Sequence, residues 1–423
     1  MKLLVVSHNV FSKTSGMGKT LSAYFKGFDC GELAQLYIHS EIPTVDVCEN
    51  YYRVTDKDII KSVFTRKSGK IFGSCDIERD KISSRTDTGA VAKIYQKASK
   101  RTPSVYVFRN LLWNIGRWKT KKLDDWLDSF NPDAVFLASG DYTFIYKIAW
   151  KIAQKRQIPL FVSCMDAYYL YNKNSEKTVG RLYHHFFLKQ VYKTMGYASA
   201  VFSICDKMTE DYEKLFNKPI YTLHTGTELK EPLNYKKTNR ISYIGNLSPG
   251  RDKQLIAIGK ALKKVKSDNK PEAIDVYSPE YRKEILENLT AENGINFCGR
   301  IGSEQVKRVM GESMLLIHTE SFDDVIRKSV AYSVSTKIAD SLASGTCIFA
   351  YGPKEVASID YLMNNKAAYC VTSKEEVVGC LEEIIQNSIL RQKIAENAVR
   401  LAYKNHNIDT NSDTIKEVIE KFI

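Results

Sequence analysis

The reading turns on residues 334–351, V-S-T-K-I-A-D-S-L-A-S-G-T-C-I-F-A-Y. Ser335 and Thr336 are residue types that cap helix N-termini by accepting from free backbone N–H groups. The spacing predicts a short helix after them, with Ile338, Leu342 and Ala339 turned inward. Gly345 stops it, as a residue able to take positive φ just past a helix. Residues 346–351 then read as a strand, continuously apolar in the middle and so buried on both faces. Lys337 falls in the helix's first turn. The N–H groups of such a turn, backed by the aligned peptide dipoles, favour an anion. The hydroxyls of Ser335 and Thr336 and the ammonium of Lys337 add donors suited to a diphosphate. Asp340, one turn on from Thr336, is placed to accept from a ribose. The same residues equally describe an ordinary capped helix in an α/β domain, and this stretch alone leaves both readings open.

Working outward, strand–helix alternation recurs along the whole chain. Residues 2–7 read as a first buried strand, followed by H-N-V-F-S-K-T-S-G-M-G-K-T-L and a helix over 21–28. A phosphate-cradling G-x-x-x-x-G-K-[ST] loop would need glycine at position 13, where Lys13 stands. The better reading is a strand–Gly loop–helix turn at the carboxyl edge of a sheet, where Gly16 and Gly18 permit close approach of a ligand. Strands follow at 34–38, 133–138, 159–164, 200–204 and 220–223, with helices between them. Asp56-Lys57-Asp58 has the D-x-D form of some metal-binding transferases but is read as solvated surface. The stretch 106–130 interleaves Trp113, Trp118 and Trp126 with Arg109, Arg117, Lys119, Lys121 and Lys122. It is read as an amphipathic helix turned mainly toward the core, with a basic rim able to meet lipid.

The alternation restarts after a polar connector, K-E-P-L-N-Y-K-K-T-N-R, at 230–240. This predicts a first Rossmann-like domain over 1–230, a second over 231–405, and a terminal helix over 406–423 that crosses back to the first. The fold class is α/β: two doubly wound parallel sheets facing across a cleft. A length of 423 residues and 43% hydrophobic content suit domains of this size. No apolar run reaches the roughly 20 residues of a membrane span, and the first residues read as a strand, not a signal peptide. Nine cysteines occur without a C-x-x-C pair, which argues for reduced thiols in a cytoplasm and against a zinc site. The formal net charge of +13 suggests an anionic partner, whether nucleotide, phospholipid surface or nucleic acid, or else plain solubility.

At the carboxyl edge of the second sheet the candidate residues share a theme. Gly245 and Asn246 begin a loop that leads to Arg251, whose guanidinium suits phosphate. Gly299 and Arg300 form a second close-approach loop, and Glu320 ends a strand. With Ser335, Thr336, Lys337 and Asp340, these describe a site for a sugar joined to a diphosphate and a nucleoside. His8, His185 and His224 are read as structural.

The segments I-S-Y-I-G-N-L-S-P-G-R-D, G-E-S-M-L-L-I-H-T-E-S-F-D and S-T-K-I-A-D-S-L-A-S-G-T-C-I-F-A-Y-G-P resemble those of the retaining glycosyltransferases of family four, which have the GT-B architecture. The likeness spans nearly the whole chain and is densest over 241–353, nearest in kind to enzymes of bacterial surface and capsular polysaccharide synthesis. The resemblance implies hexosyl transfer from a nucleotide-sugar, UDP-linked, to a saccharide or lipid-linked acceptor. It implies no metal and no cofactor beyond the donor, a cytoplasmic place at the inner face of the membrane, and no nucleic-acid partner. By position, Gly245, Arg251 and Lys337 would meet the diphosphate, with Ser335 and Thr336 beside them. Glu320 would meet the sugar hydroxyls, Asp340 the ribose, Gly16 would lie in the acceptor-side loop and Asp166 would orient the acceptor. The family's two acids are glutamates with seven residues between them. Here the second is Asp340, 20 positions after Glu320, which leaves Asp323 and Asp324 as alternatives for the first. Removing Arg251 is expected to abolish transfer and leave the fold intact. A nucleotide-sugar epimerase, a basic nucleic-acid-binding protein and an inactive membrane-bound scaffold are the rival readings.

Overall fold

The structure, a computed structural model, describes residues 1–13, 16–73, 103–167, 169, 178–229, 235–267 and 270–423. Part of the 230–240 connector, the basic stretch K-A-S-K-R at 97–101 and part of the tyrosine-rich stretch M-D-A-Y-Y-L-Y at 165–171 lie outside the described residues.

Two units divide the chain: Met1–Leu223 with Asp409–Ile423, and His224–Ile408. In the first, strands β1 (Leu3–Ser7), β2 (Leu33–Tyr37), β3 (Asn50–Arg53), β4 (Lys70–Phe72), β5 (Ala134–Ala138), β6 (Leu160–Ser163), β7 (Ala200–Ser203) and β8 (Ile220–Thr222) form one sheet. Its order is β4-β3-β2-β1-β5-β6-β7-β8, parallel except where β4 pairs antiparallel with β3. Its helices are α1 (Gly16–Tyr24), α2 (Asp56–Thr65), α3 (Pro103–Ile115), α4 (Lys121–Phe130), α5 (Thr143–Arg156), α6 (Thr178–Tyr197) and α7 (Asp206–Phe216).

The second unit holds β9 (Ile241–Ile244), β10 (Ile274–Tyr277), β11 (Ile295–Gly299), β12 (Leu315–Thr319), β13 (Cys347–Tyr351) and β14 (Tyr369–Val371), in the all-parallel order β11-β10-β9-β12-β13-β14. Helices α8 (Arg251–Lys264), α9 (Lys283–Leu286), α10 (Ser303–Glu312), α11 (Asp324–Ser329), α12 (Lys337–Ala343), α13 (Ala357–Asn364), α14 (Val377–Gln386) and α15 (Ser388–Asn405) accompany it. The last helix, α16 (Ile408–Glu420), lies with the first unit from Asp409 on. Among the described residues no helix is long and apolar enough to cross a membrane.

Alternation explains why the inner strands are apolar throughout. Cys347, Phe349 and Tyr351 join the core under α8 and α14, while Ile348 and Ala350 join the one under α12, α13 and α15. A strand covered by helices on both faces has no solvent side to mark with polar residues. Ile338, Ala339 and Leu342 are buried and Gly345 has φ +67, as the opening stretch predicts. The capping differs. Thr336 is already helical and caps nothing, and the Lys337 N–H donates to Ser335 Oγ at 3.3 Å. Helix α1 begins at Gly16, so the expected glycine loop is partly helix. A Cβ on Gly18 would lie 2.5 Å from the Val10 carbonyl oxygen, so this glycine serves the chain's own packing. The 106–130 stretch breaks into two helices, with Trp113, Trp118 and Trp126 all buried.

Three histidines, His406 buried and His8 and His318 half-buried, give stability a pH dependence. Burial, and for His318 also Arg251, lowers its pKa to about 3, and burial lowers those of His8 and His406 to about 4. His406 Nδ1 faces the Thr225 carbonyl at 2.7 Å, so that nitrogen donates and Nε2 accepts from Tyr361. Released by unfolding, each ring takes up a proton near pH 6.5. The unfolded chain therefore binds more protons between about pH 4 and 6.5. The stability is complete above that window and drains as pH falls, by about 1.4 kcal/mol per histidine per pH unit. Thermal unfolding followed at pH 7.5 and 5.5 should show a clear loss at the lower pH, and an unchanged midpoint would refute this.

Candidate functional site

The strand order of the second sheet reverses between β9 and β12, and in open α/β sheets ligands bind outside the carboxyl ends of strands at such a point. The chain leaves β9 through Gly245, whose N–H donates to the Tyr277 carbonyl at 3.0 Å, and Asn246, which is exposed. The Tyr243 hydroxyl donates to the Asn246 carbonyl at 2.5 Å and holds the loop down. Gly250, with φ +69, turns the chain into α8. A Cβ there would lie 2.9 Å from both Ser321 Oγ and Ile326 Cδ1, so only glycine fits both the conformation and the space.

Arg251 is the first residue of α8 and reaches across to the end of β12. Its Nη2 meets Glu320 Oε1 at 2.7 Å, Nε donates to the Thr319 carbonyl at 3.2 Å, and Nη1 to the Ser248 carbonyl at 3.1 Å. The guanidinium is thus fixed in three directions at the mouth of the reversal point. Burial works against its charge, but Glu320 and Tyr243 hold its pKa above the ordinary range. Glu320 itself is 1% exposed. Burial raises its pKa, with Arg251 pulling the other way. His318 Nε2 lies 3.1 Å from Ser358 Oγ and 3.8 Å from Glu320 Oε1. Held neutral by burial, it adds no second positive charge beside Arg251.

This pairing changes the expectation that Arg251 can be removed without harm to the fold. The carboxylate under it is buried, and deleting one member of a buried pair strands the other. Glu320 is engaged first by Arg251. The alternatives for its place also have structural duties: Asp323 Oδ1 accepts from the N–H groups of Val325 and Ile326, and Asp324 pairs with Arg327 at 2.8 Å.

The remaining candidates lie along the same edge. Gly299 has φ +70 with open space where a Cβ would stand, and Arg300 beside it is exposed. Ser335 is half-buried, while Thr336 and Lys337 are exposed at the start of α12. Asp340 Oδ1 accepts from Thr227 Oγ1 at 2.7 Å.

In the first unit the strand order reverses between β1 and β5. Gly16 faces open space and Asp166 accepts from the Ala167 N–H at 2.8 Å. Sequence reasoning missed the groups at the reversal itself. His8 follows β1 and stacks on Tyr142 at 5.7 Å between centroids. Arg109 lies 4.1 Å over the Tyr142 ring and pairs with Asp56 at 2.9 Å; Tyr106 hydrogen-bonds Asp141. Asp56, read as solvated, also accepts from Trp113 Nε1 at 2.7 Å. Only the positions of His8 and Asp141, each just past a buried strand, hinted at this cluster. Among the described residues no group of three His, Cys, Asp or Glu side chains is placed to hold a metal ion.

Residues 257–417 match the family model described as glycosyl transferase-like. No curated protein matches the sequence. Among solved structures the chain is similar to HepE from Anabaena in complex with UDP, at 13% identity, with all of both chains covered and a TM-score of 0.62. It is similar to sucrose-phosphate synthase from Thermosynechococcus elongatus, at 9% identity over 100% of this chain and 99% of that one, TM-score 0.60. It also resembles WaaG, a glycosyltransferase involved in lipopolysaccharide biosynthesis, at 12% identity over 99% of each chain, TM-score 0.55. The fold is that of the GT-B glycosyltransferases, with two Rossmann-like units. The family match covers most of the second unit and most of α16.

Proposed function

We propose that the protein moves a hexosyl group from a UDP-sugar to a saccharide or lipid-linked saccharide during synthesis of a bacterial cell-surface polysaccharide, with retention at the anomeric carbon. The observation that carries this reading is Arg251, locked by Glu320 and two carbonyls where the second sheet's strand order reverses. HepE has been solved with UDP, and with UDP-glucose, and WaaG serves lipopolysaccharide biosynthesis.

In this reading negative charge develops on the departing diphosphate as the glycosyl bond breaks. Arg251 and Lys337 meet that charge, with Arg251 already oriented before the reaction begins. Gly245, Asn246, Gly299 and Arg300 line the approach. Ser335 and Thr336 donate to phosphate, and Asp340 accepts from the ribose. Glu320 acts as a positioning residue that aims Arg251. The leaving phosphate assists removal of the acceptor's proton, and Asp166 with the His8–Asp141 cluster orients the acceptor. Cationic side chains perform the task a divalent ion performs elsewhere, so transfer is expected to persist in excess chelator.

The test is binding before turnover. UDP should raise the unfolding temperature of the wild type by mass action. The Lys337 side chain is exposed and has no hydrogen-bond or ion-pair partner among the described residues, so Lys337→Ala should keep the unliganded midpoint and weaken UDP binding about tenfold, the scale of one charge-assisted contact. No response to UDP or any other nucleoside diphosphate would overturn the reading.

A further inference from the structure

A cleft of about 1280 Å³ opens in the second unit at the edge of the sheet opposite Arg251 and Glu320. Its floor is formed by the amino-terminal ends of strands: Asn239 lies just before β9, Met314 just before β12, and Cys347 opens β13. One wall is α15. Ser388, Arg391, Gln392, Ala395, Val399 and Arg400 line the cleft, and their spacing of three and four places them on one face of that helix. Around the rim Thr238, Ser267 and Gln386 offer hydroxyl and amide groups.

The charge in this cleft is unbalanced. Lys237, Arg391 and Arg400 line it against a single carboxylate, Glu396. None of the three cations forms an ion pair among the described residues. Lys237 is exposed along its stem, but its ammonium turns in to two neutral oxygens, the Gly311 carbonyl at 2.8 Å and the Thr346 hydroxyl. Arg391 Nη1 donates to the carbonyls of Ile384 and Ile385 at 2.7 and 2.6 Å, at the end of α14. These bonds fasten the chain and cancel no charge. They leave one proton of the Lys237 ammonium, and Nε and Nη2 of Arg391, without a partner among the described residues. Burial lowers the pKa of both groups, that of Lys237 to about 8, as befits cations drawn from water with no carboxylate beside them. Cys347 supplies no compensating charge, because burial pushes its thiol up to about 12. Cations withdrawn from water are ordinarily paired, and the missing partner here is an anion.

We propose that this cleft binds a small phosphate ester with a hydroxyl-rich body, a sugar phosphate. The phosphate takes the open donors of Arg391 and Lys237 with Arg400 beside them, the geometry in which guanidinium groups hold phosphate best. Thr238, Ser267 and Gln386 meet the hydroxyls. The site shares no residue with those assigned to donor or acceptor and does not rest on that assignment.

Thermal unfolding of the full chain in saturating UDP tests this, with ribose 5-phosphate, ribose and inorganic phosphate as probes. Ribose 5-phosphate should raise the wild-type midpoint with concentration, ribose should leave it unmoved, and inorganic phosphate should bind about tenfold more weakly than the ester. Arg400 is exposed and bonded to Asn397, so Arg400→Gln should fold as the wild type and bind ribose 5-phosphate about tenfold more weakly, the scale of one charge-assisted contact. Ala395 lies one turn past Arg391 on the same face, and Ala395→Glu sets a carboxylate where the phosphate would lie. That variant should lose the response to ribose 5-phosphate and keep the wild-type circular dichroism and response to UDP. A wild-type midpoint that ribose 5-phosphate leaves unmoved would overturn the proposal, and so would equal responses from the wild type and Ala395→Glu. Inorganic phosphate binding as tightly as the ester would overturn the part given to the hydroxyls. A response to ribose 5-phosphate that survives where UDP has none would support this site and count against the donor assignment alone.

Discussion

Arg251→Ala is expected to destabilise the second unit by about 3–5 kcal/mol, the cost of removing one member of a buried ion pair. It leaves the Glu320 carboxylate 1% exposed, with its 2.7 Å partner gone. Glu320 is already pushed toward its neutral form by burial. Without Arg251 its pKa rises further, and the folded variant takes up a proton that the unfolded chain, titrating near 4.3, does not hold at neutral pH. The deficit should therefore shrink as pH falls from 8 toward 5. Arg251→Met/Glu320→Leu separates structure from chemistry, because apolar groups of similar size often replace a buried pair at little cost. Chemical denaturation of both single variants and the double should show most of the stability restored in the double. Glycosyl transfer should be lost in all three, since none retains the guanidinium and its guide together. Wild-type turnover in the refolded double variant would remove Arg251 from the mechanism. An Arg251→Ala protein as stable as the wild type would show that the pair carries no structural weight.

That pair also marks where sequence reading ends. Arg251 was legible as a phosphate-seeking group at the start of a helix, and Glu320 as an acid at a strand end. Their contact spans 69 residues and depends on β9 and β12 being neighbours, while β10 and β11 lie on the far side of β9. No local pattern encodes that order. The inner strands were visible because burial on both faces makes them apolar runs. The edge strand β4, K-I-F, and its neighbour β3, N-Y-Y-R, are short and partly polar, and they pass for loop. Asp56 looked solvated because its partners, Arg109 and Trp113, are more than 50 residues away in the chain. The serine and threonine before α12 suggested a cap, but backbone conformation, not residue type, decides which of them accepts.

The helix that presents Arg251 is itself held by a close approach that a single methyl group should break. A Cβ on Gly259, in the middle of α8, would lie 2.3 Å from the Asn293 carbonyl oxygen and 2.9 Å from that of Gly294. Those atoms are backbone at the end of the single turn Ala291–Asn293 that leads into β11, and they cannot rotate aside. Alanine favours a helix over glycine by about 1 kcal/mol, but overpacking typically costs 1–3 kcal/mol and more against rigid neighbours. Gly259→Ala should therefore destabilise the second unit by about 1–3 kcal/mol, and it should slow transfer as α8 tilts and its first residue leaves Glu320. Gly379, in the first turn of α14, is exposed with nothing within 4 Å of a Cβ. Gly379→Ala should stabilise by about 0.5–1 kcal/mol and leave transfer unchanged. The two variants make the same chemical change in two helices of one unit, so opposite signs in urea unfolding would isolate packing as the cause. If both stabilise, α8 does not press against the turn as described, and the fixed position of Arg251 loses its support.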